Sequence, residues 1–286
     1  MTNTYVVEGG IGKCTSFTAL LPKLKKKSDI IIYTPYINCF TNNPNVKMVV
    51  EQSVRIQDTP AMRSDNIFYC EPYFSNFQFG RQHLIESYCN LFNVEYDKKM
   101  LPKLYTENHY QVVSNWLKNK NIGKYILIQF SGGQSQFNYS PNTVYKNKNI
   151  GRNYNEFFAQ KLINMLKKEY KNVTILDCTL PNEPSFEHTI KADVYWPLIH
   201  EMLKYSKGFI GIDSYLQHFS ASTQTPGVVI WGSTRWTQFG YSHNKNLNYF
   251  MKDKWDESKY VENDPRNSMV EPEIVFEEFR KLPLKI

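Results

Sequence analysis

Short apolar runs alternate with segments whose apolar positions recur every three or four residues, and this rhythm predicts strands followed by helices. In the first half, strands are expected over Thr4 to Val7, Asp29 to Tyr33, Val46 to Val50 and Ile67 to Tyr69. Between the first two lies a helical pattern through Lys27, with Phe17, Leu20, Leu21 and Leu24 on one face. Helices are expected over Arg81 to Phe92 and Tyr110 to Lys118, on either side of a less patterned connection through Leu101 and Pro102. The second half repeats the scheme, with strands over Tyr125 to Phe130, Val173 to Cys178, Gly208 to Ile212 and Val228 to Trp231. Its helices fall over Tyr154 to Tyr170, Pro197 to Tyr205 and the stretch after Ser214, which Thr225, Pro226 and Gly227 end. Pro272 to Leu282 reads as an amphipathic terminal helix.

Strand and helix in alternation predict an α/β chain with parallel sheets. Two series of similar size suggest two Rossmann-like domains, over 1–118 and 119–270, with a terminal helix at 271–286. The strand over 208–212 delivers Asp213 and Ser214 to a sheet edge. Either side chain is placed to cap the helix that follows, and free N–H groups there favour an anion. The next strand delivers Gly232, Ser233 and Thr234 to the same edge, where α/β proteins bind ligands.

The chain has 286 residues and a formal charge of +7. The last 36 residues are slightly acidic, so the excess sits on residues 1 to 250, where Lys23, Lys25, Lys26 and Lys27 cluster. That balance suits a polyanion: nucleic acid, a phosphorylated glycolipid or peripheral association with an anionic surface; it equally suits plain solvation. No window is apolar enough to span a membrane, and the opening residues lack the apolar run of a signal peptide. Five cysteines without metal-type spacing read as reduced thiols of a cytoplasmic protein.

Asp213-Ser214-Tyr215-Leu216-Gln217-His218, then Thr225-Pro226, then Gly232-Ser233-Thr234 form an ordered series. It resembles the donor-binding segment of the heptosyltransferase-like glycosyltransferases, family nine, whose pattern is Asp-Ser/Thr-Gly-x-x-His, Thr-Pro, Gly-x-Thr. The resemblance implies the GT-B fold, two facing Rossmann-like domains with the terminal helix crossing back toward the first. It implies transfer of a sugar from a nucleotide-diphosphate sugar to a hydroxyl acceptor. That acceptor is a lipopolysaccharide-core-like glycan or, given the basic body, a hydroxymethylated pyrimidine in DNA. No cofactor is expected beyond the donor, and no Asp-x-Asp metal motif occurs.

By the same resemblance, the loop Ser131, Gly132, Gly133 and Gln134 meets the donor phosphates and Arg152 offsets their charge. Asp213, Ser214, His218, Gly232 and Ser233 complete the donor side, together with Gly12, which matches the glycine of the first loop. Glu71 and Tyr73 fall on the acceptor side. Tyr215 stands where the family has Gly, to narrow the phosphate approach or stack on the ligand. Lys13 stands where the family has its general-base Asp. An ammonium accepts no proton unless its pKa is depressed, so Lys13 is a catalytic candidate on that condition or else a ligand for a donor or acceptor phosphate, with Glu8, Asp213 or Glu71 as substitute base.

Rival readings remain. Gly9 to Thr15 invites a phosphate loop, but Val7 replaces its first Gly, and Cys14 stands where a hydroxyl would hold magnesium. The loop is nearer that of partitioning ATPases, with Glu8 in place of their first lysine. A non-catalytic sugar-nucleotide-binding protein is the other alternative. Tyr69, Tyr73, Phe74, Phe77 and Phe79 make either an acceptor platform or a satellite hydrophobic cluster. Trp231 reads as core, whereas Trp236, Phe239 and Tyr241 are placed to sandwich a base or sugar.

Overall fold

The computed structural model describes residues 1–132, 152–179, 183, 185–232, 234–248 and 270–284. The chain divides into two compact units, Met1–His109 with Thr237–Phe239, and Tyr110–Trp236 with Gly240–Ile286.

The first unit runs β1 (Thr2–Val6), α1 (Ile11–Phe17), α2 (Leu21–Lys25), β2 (Asp29–Thr34), β3 (Met48–Glu51), β4 (Asn66–Tyr69), α3 (Ser75–Gln78) and α4 (Leu84–Leu91). Its four strands are parallel, in the order β3-β2-β1-β4. Ile30 to Tyr33 are buried, as a central parallel strand requires. Aromatic rings fill one side of this sheet: Phe17 meets Tyr88 at 5.2 Å and Tyr5 stacks on Phe68 at 5.3 Å.

The helix expected to run unbroken to Lys27 is divided. A 3₁₀ turn at Thr18–Leu20 separates α1 from α2, and Pro22 lies in the first turn of α2. Proline has no N–H to continue a helix but suits a new start. The lysines of α2 and of the segment after it bind the stretch after α4 and the start of β2. Lys23 donates to the Glu95 carbonyl at 2.6 Å, Lys27 to that of Asn93 at 2.9 Å, and Lys25 pairs with Asp29 at the start of β2. Helix α4 begins later than expected because the His83 ring accepts the Ile85 N–H and caps it.

The second unit runs α5 (Tyr110–Asn119), β5 (Lys124–Gln129), α6 (Glu156–Glu169), β6 (Val173–Asp177), β7 (Ile190–Lys191), α7 (Trp196–Tyr205) and β8 (Phe209–Ile212). It continues through α8 (Tyr215–Thr223), β9 (Gly227–Trp231), α9 (Trp236–Phe239), β10 (Lys245–Asn248) and α10 (Pro272–Arg280). Within α9, only Trp236 belongs to this unit. Its six strands are parallel, in the order β10-β9-β8-β5-β6-β7. Ile126, Ile128, Ile210 and Ile230 form one core with Leu162 and Leu166 of α6 and Val275 and Phe279 of α10. Helix α5, which the sequence pattern gives to the first half, packs here instead, with Tyr110 against Tyr205 at 5.4 Å. Gly227 is required by contact: a Cβ there would lie 2.1 Å from the Phe209 ring. All five cysteines are buried, free thiols. No helix among the described residues is long and apolar enough to cross a membrane.

Candidate functional site

In the second sheet the chain winds outward from β5 through β6 to β7, then returns to the other side of β5 to lay down β8, β9 and β10. The winding therefore reverses between β5 and β8. At such a point the loops after the two strand ends diverge and leave a crevice for ligands. Gln129 ends β5 and is buried. Its Nε2 donates to Ser214 Oγ at 2.9 Å, and its Oε1 accepts the Leu216 N–H at 3.4 Å. Gln129 thus serves the first turn of α8 from the neighbouring strand. This corrects the expected cap, because Ser214 holds the N-cap position without a capping bond from its own side chain.

Asp213 is buried beside this pair, with Arg152 Nη1 3.6 Å from its Oδ2. Burial pushes its carboxyl above the usual range, and the Arg152 charge and the Thr234 hydroxyl draw it partly back. The loop after β5 carries Ser131, whose Oγ is buried with no hydrogen-bond partner among the described residues. Gly132 follows, its N–H bound to Asn153 Oδ1 at 2.9 Å, and the Arg152 guanidinium passes close by. Ser131, Gly132, Arg152, Asp213 and Ser214 are therefore brought to one edge, where a cation, a hydroxyl and loop backbone can meet an anion. Gly232 is buried at the end of β9 on the same edge. Gly133, Gln134 and Ser233 lie outside the described residues.

His218 is held within the unit. Its Nε2 lies 2.9 Å from the Gln217 amide nitrogen and its Nδ1 3.0 Å from the Tyr241 hydroxyl. An amide nitrogen only donates, so Nε2 accepts and Nδ1 carries the proton toward Tyr241. Tyr215 is likewise anchored, its hydroxyl donating to the Cys178 carbonyl at 2.6 Å. Trp231 is buried, its indole N–H donating to Asn246 Oδ1 at 2.9 Å.

The pattern of the sequence did not single out Gln129 or Asp177. Asp177 ends β6 next to β5, is buried, and accepts from the Thr179 N–H and hydroxyl at 3.0 and 2.8 Å. Lys191 of β7 lies 3.7 Å from its other oxygen. A polar residue closing an apolar strand is the one signal that marks both.

The first sheet also reverses its winding, between β1 and β4. Lys13, in the first turn of α1 after β1, reaches the loop after β4: its Nζ lies 2.8 Å from Glu71 Oε2. The Lys13 side chain is 7% exposed and that of Glu71 46%. Glu71 Oε1 accepts the Tyr73 N–H at 3.1 Å, and the Tyr73 ring lies 4.9 Å from the ammonium. Gly9 has φ +97, and a Cβ there would come within 2.8 Å of Lys13 Cδ, so glycine leaves room for the buried lysine stem. Glu8 turns to the other side and accepts the Gln52 amide at 2.5 Å. Cys14 points into the core, its thiol 3.7 Å from the Thr34 hydroxyl and pushed up to about 12 by burial. In the aromatic loop, Phe77 is buried against Tyr73 and Phe239, whereas Tyr69, Phe74 and Phe79 are exposed. No three His, Cys, Asp or Glu side chains among the described residues gather as a metal site would need.

No family model matches the sequence, and no curated protein matches it. Solved structures do match in fold. The E. coli ADP-heptose lipopolysaccharide heptosyltransferase II aligns with TM-score 0.71 over 97% of this chain and 97% of its own, at 12% identity. A glycosyl transferase family 9 protein from Veillonella parvula aligns with TM-score 0.69 over 97% of this chain and 95% of its own, also at 12% identity. TibC, an iron-containing dodecameric glycosyltransferase of enterotoxigenic E. coli, aligns with TM-score 0.60 over 98% of this chain and 72% of its own, at 14% identity. The chain thus has the α/β, two-sheet fold of these GT-B glycosyltransferases.

Proposed function

We propose that this chain is a glycosyltransferase of the heptosyltransferase-like kind, moving a sugar from a nucleotide-diphosphate sugar to a hydroxyl acceptor. The observation that carries the reading is the cluster at the β5–β8 reversal, on a fold matched by nucleotide-sugar enzymes across nearly its whole length. Departure of a nucleoside diphosphate needs its growing charge met by fixed donors in a site kept from water. Arg152, the Ser131 hydroxyl and the loop backbone from Ser131 into Gly132, Gly133 and Gln134 are suited to that work. Ser214 and the α8 start, with Gly232 and Ser233, would border the donor. Asp213 is assigned to orient Arg152 and to hydrogen-bond a sugar hydroxyl, because a carboxylate facing phosphate would repel it. His218 would border the donor from α8, held by its bond to Tyr241. Gly12 is assigned to the donor, and Lys13, Glu71 and Tyr73 to the acceptor side.

The acceptor we propose is a glycan hydroxyl rather than a pyrimidine in DNA. The lysine cluster that suggested a nucleic-acid groove lies at the opposite end of the first sheet from its reversal, and Lys25 there is paired with Asp29. ADP-heptose is the donor to try first, since E. coli heptosyltransferase WaaC was solved with ADP and TibC with ADP-D-beta-D-heptose. Transfer is proposed to need no metal, as the chain lacks an Asp-x-Asp motif. The position of Lys13 favours one rival, a sugar-nucleotide-binding protein without activity. A thermal-shift series with ADP-, UDP- and GDP-sugars tests the core of the reading. A melting temperature raised by one donor and not by its free sugar is expected. No response to any nucleotide sugar would remove it.

A further inference from the structure

Sugar transfer needs a group that takes the acceptor proton, and the first loop offers an ammonium instead of a carboxylate at Lys13. Three carboxylates follow strand ends of the first sheet or close them: Glu8 after β1, Glu51 at the end of β3, and Glu71 after β4. Glu51 closes an outer strand. Glu8 is turned to Gln52, on the β3 side. Glu8 and Glu71 both follow strands that flank the reversal between β1 and β4, where a ligand crevice is expected, but only Glu71 of the two is tied across it, to Lys13. One of its oxygens is held by Lys13 and the other by the Tyr73 N–H, so its direction is set by both neighbours. The exposures are unequal, with the lysine enclosed and the carboxylate half open to solvent. A buried cation that orients an accessible carboxylate is an arrangement for presenting a base.

We propose that Glu71 is the general base and that Lys13 positions it, an assignment that rests on the glycosyltransferase reading above. As the acceptor hydroxyl approaches the donor sugar, its proton passes to the Glu71 carboxylate. The freed oxygen forms the new bond to the anomeric carbon. The old bond to the diphosphate breaks, and its electron pair leaves with the nucleoside diphosphate. Lys13 takes no proton at any step. It steers Glu71 through their 2.8 Å contact, the Tyr73 ring lies against the ammonium, and the glycine at 9 leaves room for the lysine stem.

The test compares the full-length chain with Glu71→Gln, using ADP-heptose as donor and lipopolysaccharide-core oligosaccharide as acceptor. Two quantities are read: donor affinity by calorimetry and turnover by release of ADP. Glu71→Gln is expected to bind donor as the wild type does and to lose turnover by about 10²–10⁴-fold. Turnover within about threefold of wild type would overturn the assignment while leaving the glycosyltransferase reading intact. If Glu71→Gln does not fold, Glu71→Asp takes its place; it keeps the charge but withdraws the carboxylate by one methylene. A loss of at least about tenfold in kcat with donor affinity kept supports the base, and full turnover in that folded variant overturns it. Lys13→Met, as a positioning change, is expected to lower kcat while leaving donor affinity unchanged. A wild-type chain that neither binds nor turns over ADP-heptose, ADP-glucose or UDP-glucose removes the underlying reading, and this assignment with it.

Discussion

Gln129 donates to the Ser214 hydroxyl at 2.9 Å, bridging β5 and the start of α8 where the second sheet reverses its winding. The same amide takes the Leu216 N–H, so one buried side chain fixes both the donor edge and the helix behind it.

Gln129→Leu should therefore cost both fold and ligand. It leaves the half-buried Ser214 hydroxyl and the buried Leu216 N–H without their partner, at about 1–3 kcal/mol of unfolding free energy. Urea unfolding should show that loss, and calorimetry a weaker nucleotide sugar. Unchanged values in both would show that Gln129 does neither.

His218→Ala is expected to lower the melting temperature, since both ring nitrogens are engaged inside the second unit. Tyr241→Phe removes one of those partners and should show a smaller shift in the same direction. If His218→Ala weakens nucleotide-sugar binding with no change in melting, His218 meets the ligand directly instead.

Two imidazoles give the stability a pH dependence. Burial lowers His200 from 6.5 to about 3 and His243 to about 4. As pH falls below about 6.5 the unfolded chain takes up these protons and the folded chain does not, so stability falls with acid until each folded value is passed. The slope should reach up to about 1.4 kcal/mol per pH unit for each imidazole. Urea unfolding between pH 7 and pH 5 reads it, and His200→Gln should flatten it.

Arg152→Met should show the opposite sign. Asp213 is already raised by burial, and Arg152 is the cation that draws it back. A raised folded value favours the protonated folded chain, so stability falls as pH rises through that window. Without Arg152 the window widens upward. The variant should lose more stability at pH 7.5 than at pH 5, and equal losses would count against the pair.

Lys26→Gln with Lys27→Gln should leave nucleotide-sugar binding and turnover unchanged, because both lie in the segment joining α2 to the start of β2, at the end of the first sheet opposite the loops that carry Lys13 and Glu71. Salt-sensitive retention of hydroxymethylated DNA, lost in this double variant, would restore the nucleic-acid acceptor.

The strands most plainly legible in the sequence are those buried on both faces, although the shorter apolar runs of the half-exposed β3 and β4 were legible too. Ile30 to Tyr33, Ile126 to Ile128 and Val228 to Trp231 announce themselves as apolar runs. Strands β7 and β10 did not, because Ile190–Lys191 and Lys245–Asn248 are held by backbone pairing at the sheet edges rather than by burial. The cluster around Asp213 was readable, since strand, turn and helix follow one another within a few residues. Gln129 was not, as one amide after Ile128 looks like any strand end. Nor was the Lys13–Glu71 pair: its members are 58 positions apart, and they meet because β4 lies beside β1.

The buried thiols provide a reporter that needs no engineering. Four of them, Cys14, Cys39, Cys70 and Cys89, lie in the first unit and one, Cys178, in the second. A thiol reagent reaches them only when the surrounding structure opens. Mass spectrometry of the labelled chain would therefore count opening events half by half, and a nucleotide sugar that slows labelling of Cys178 alone would reveal which half it grips.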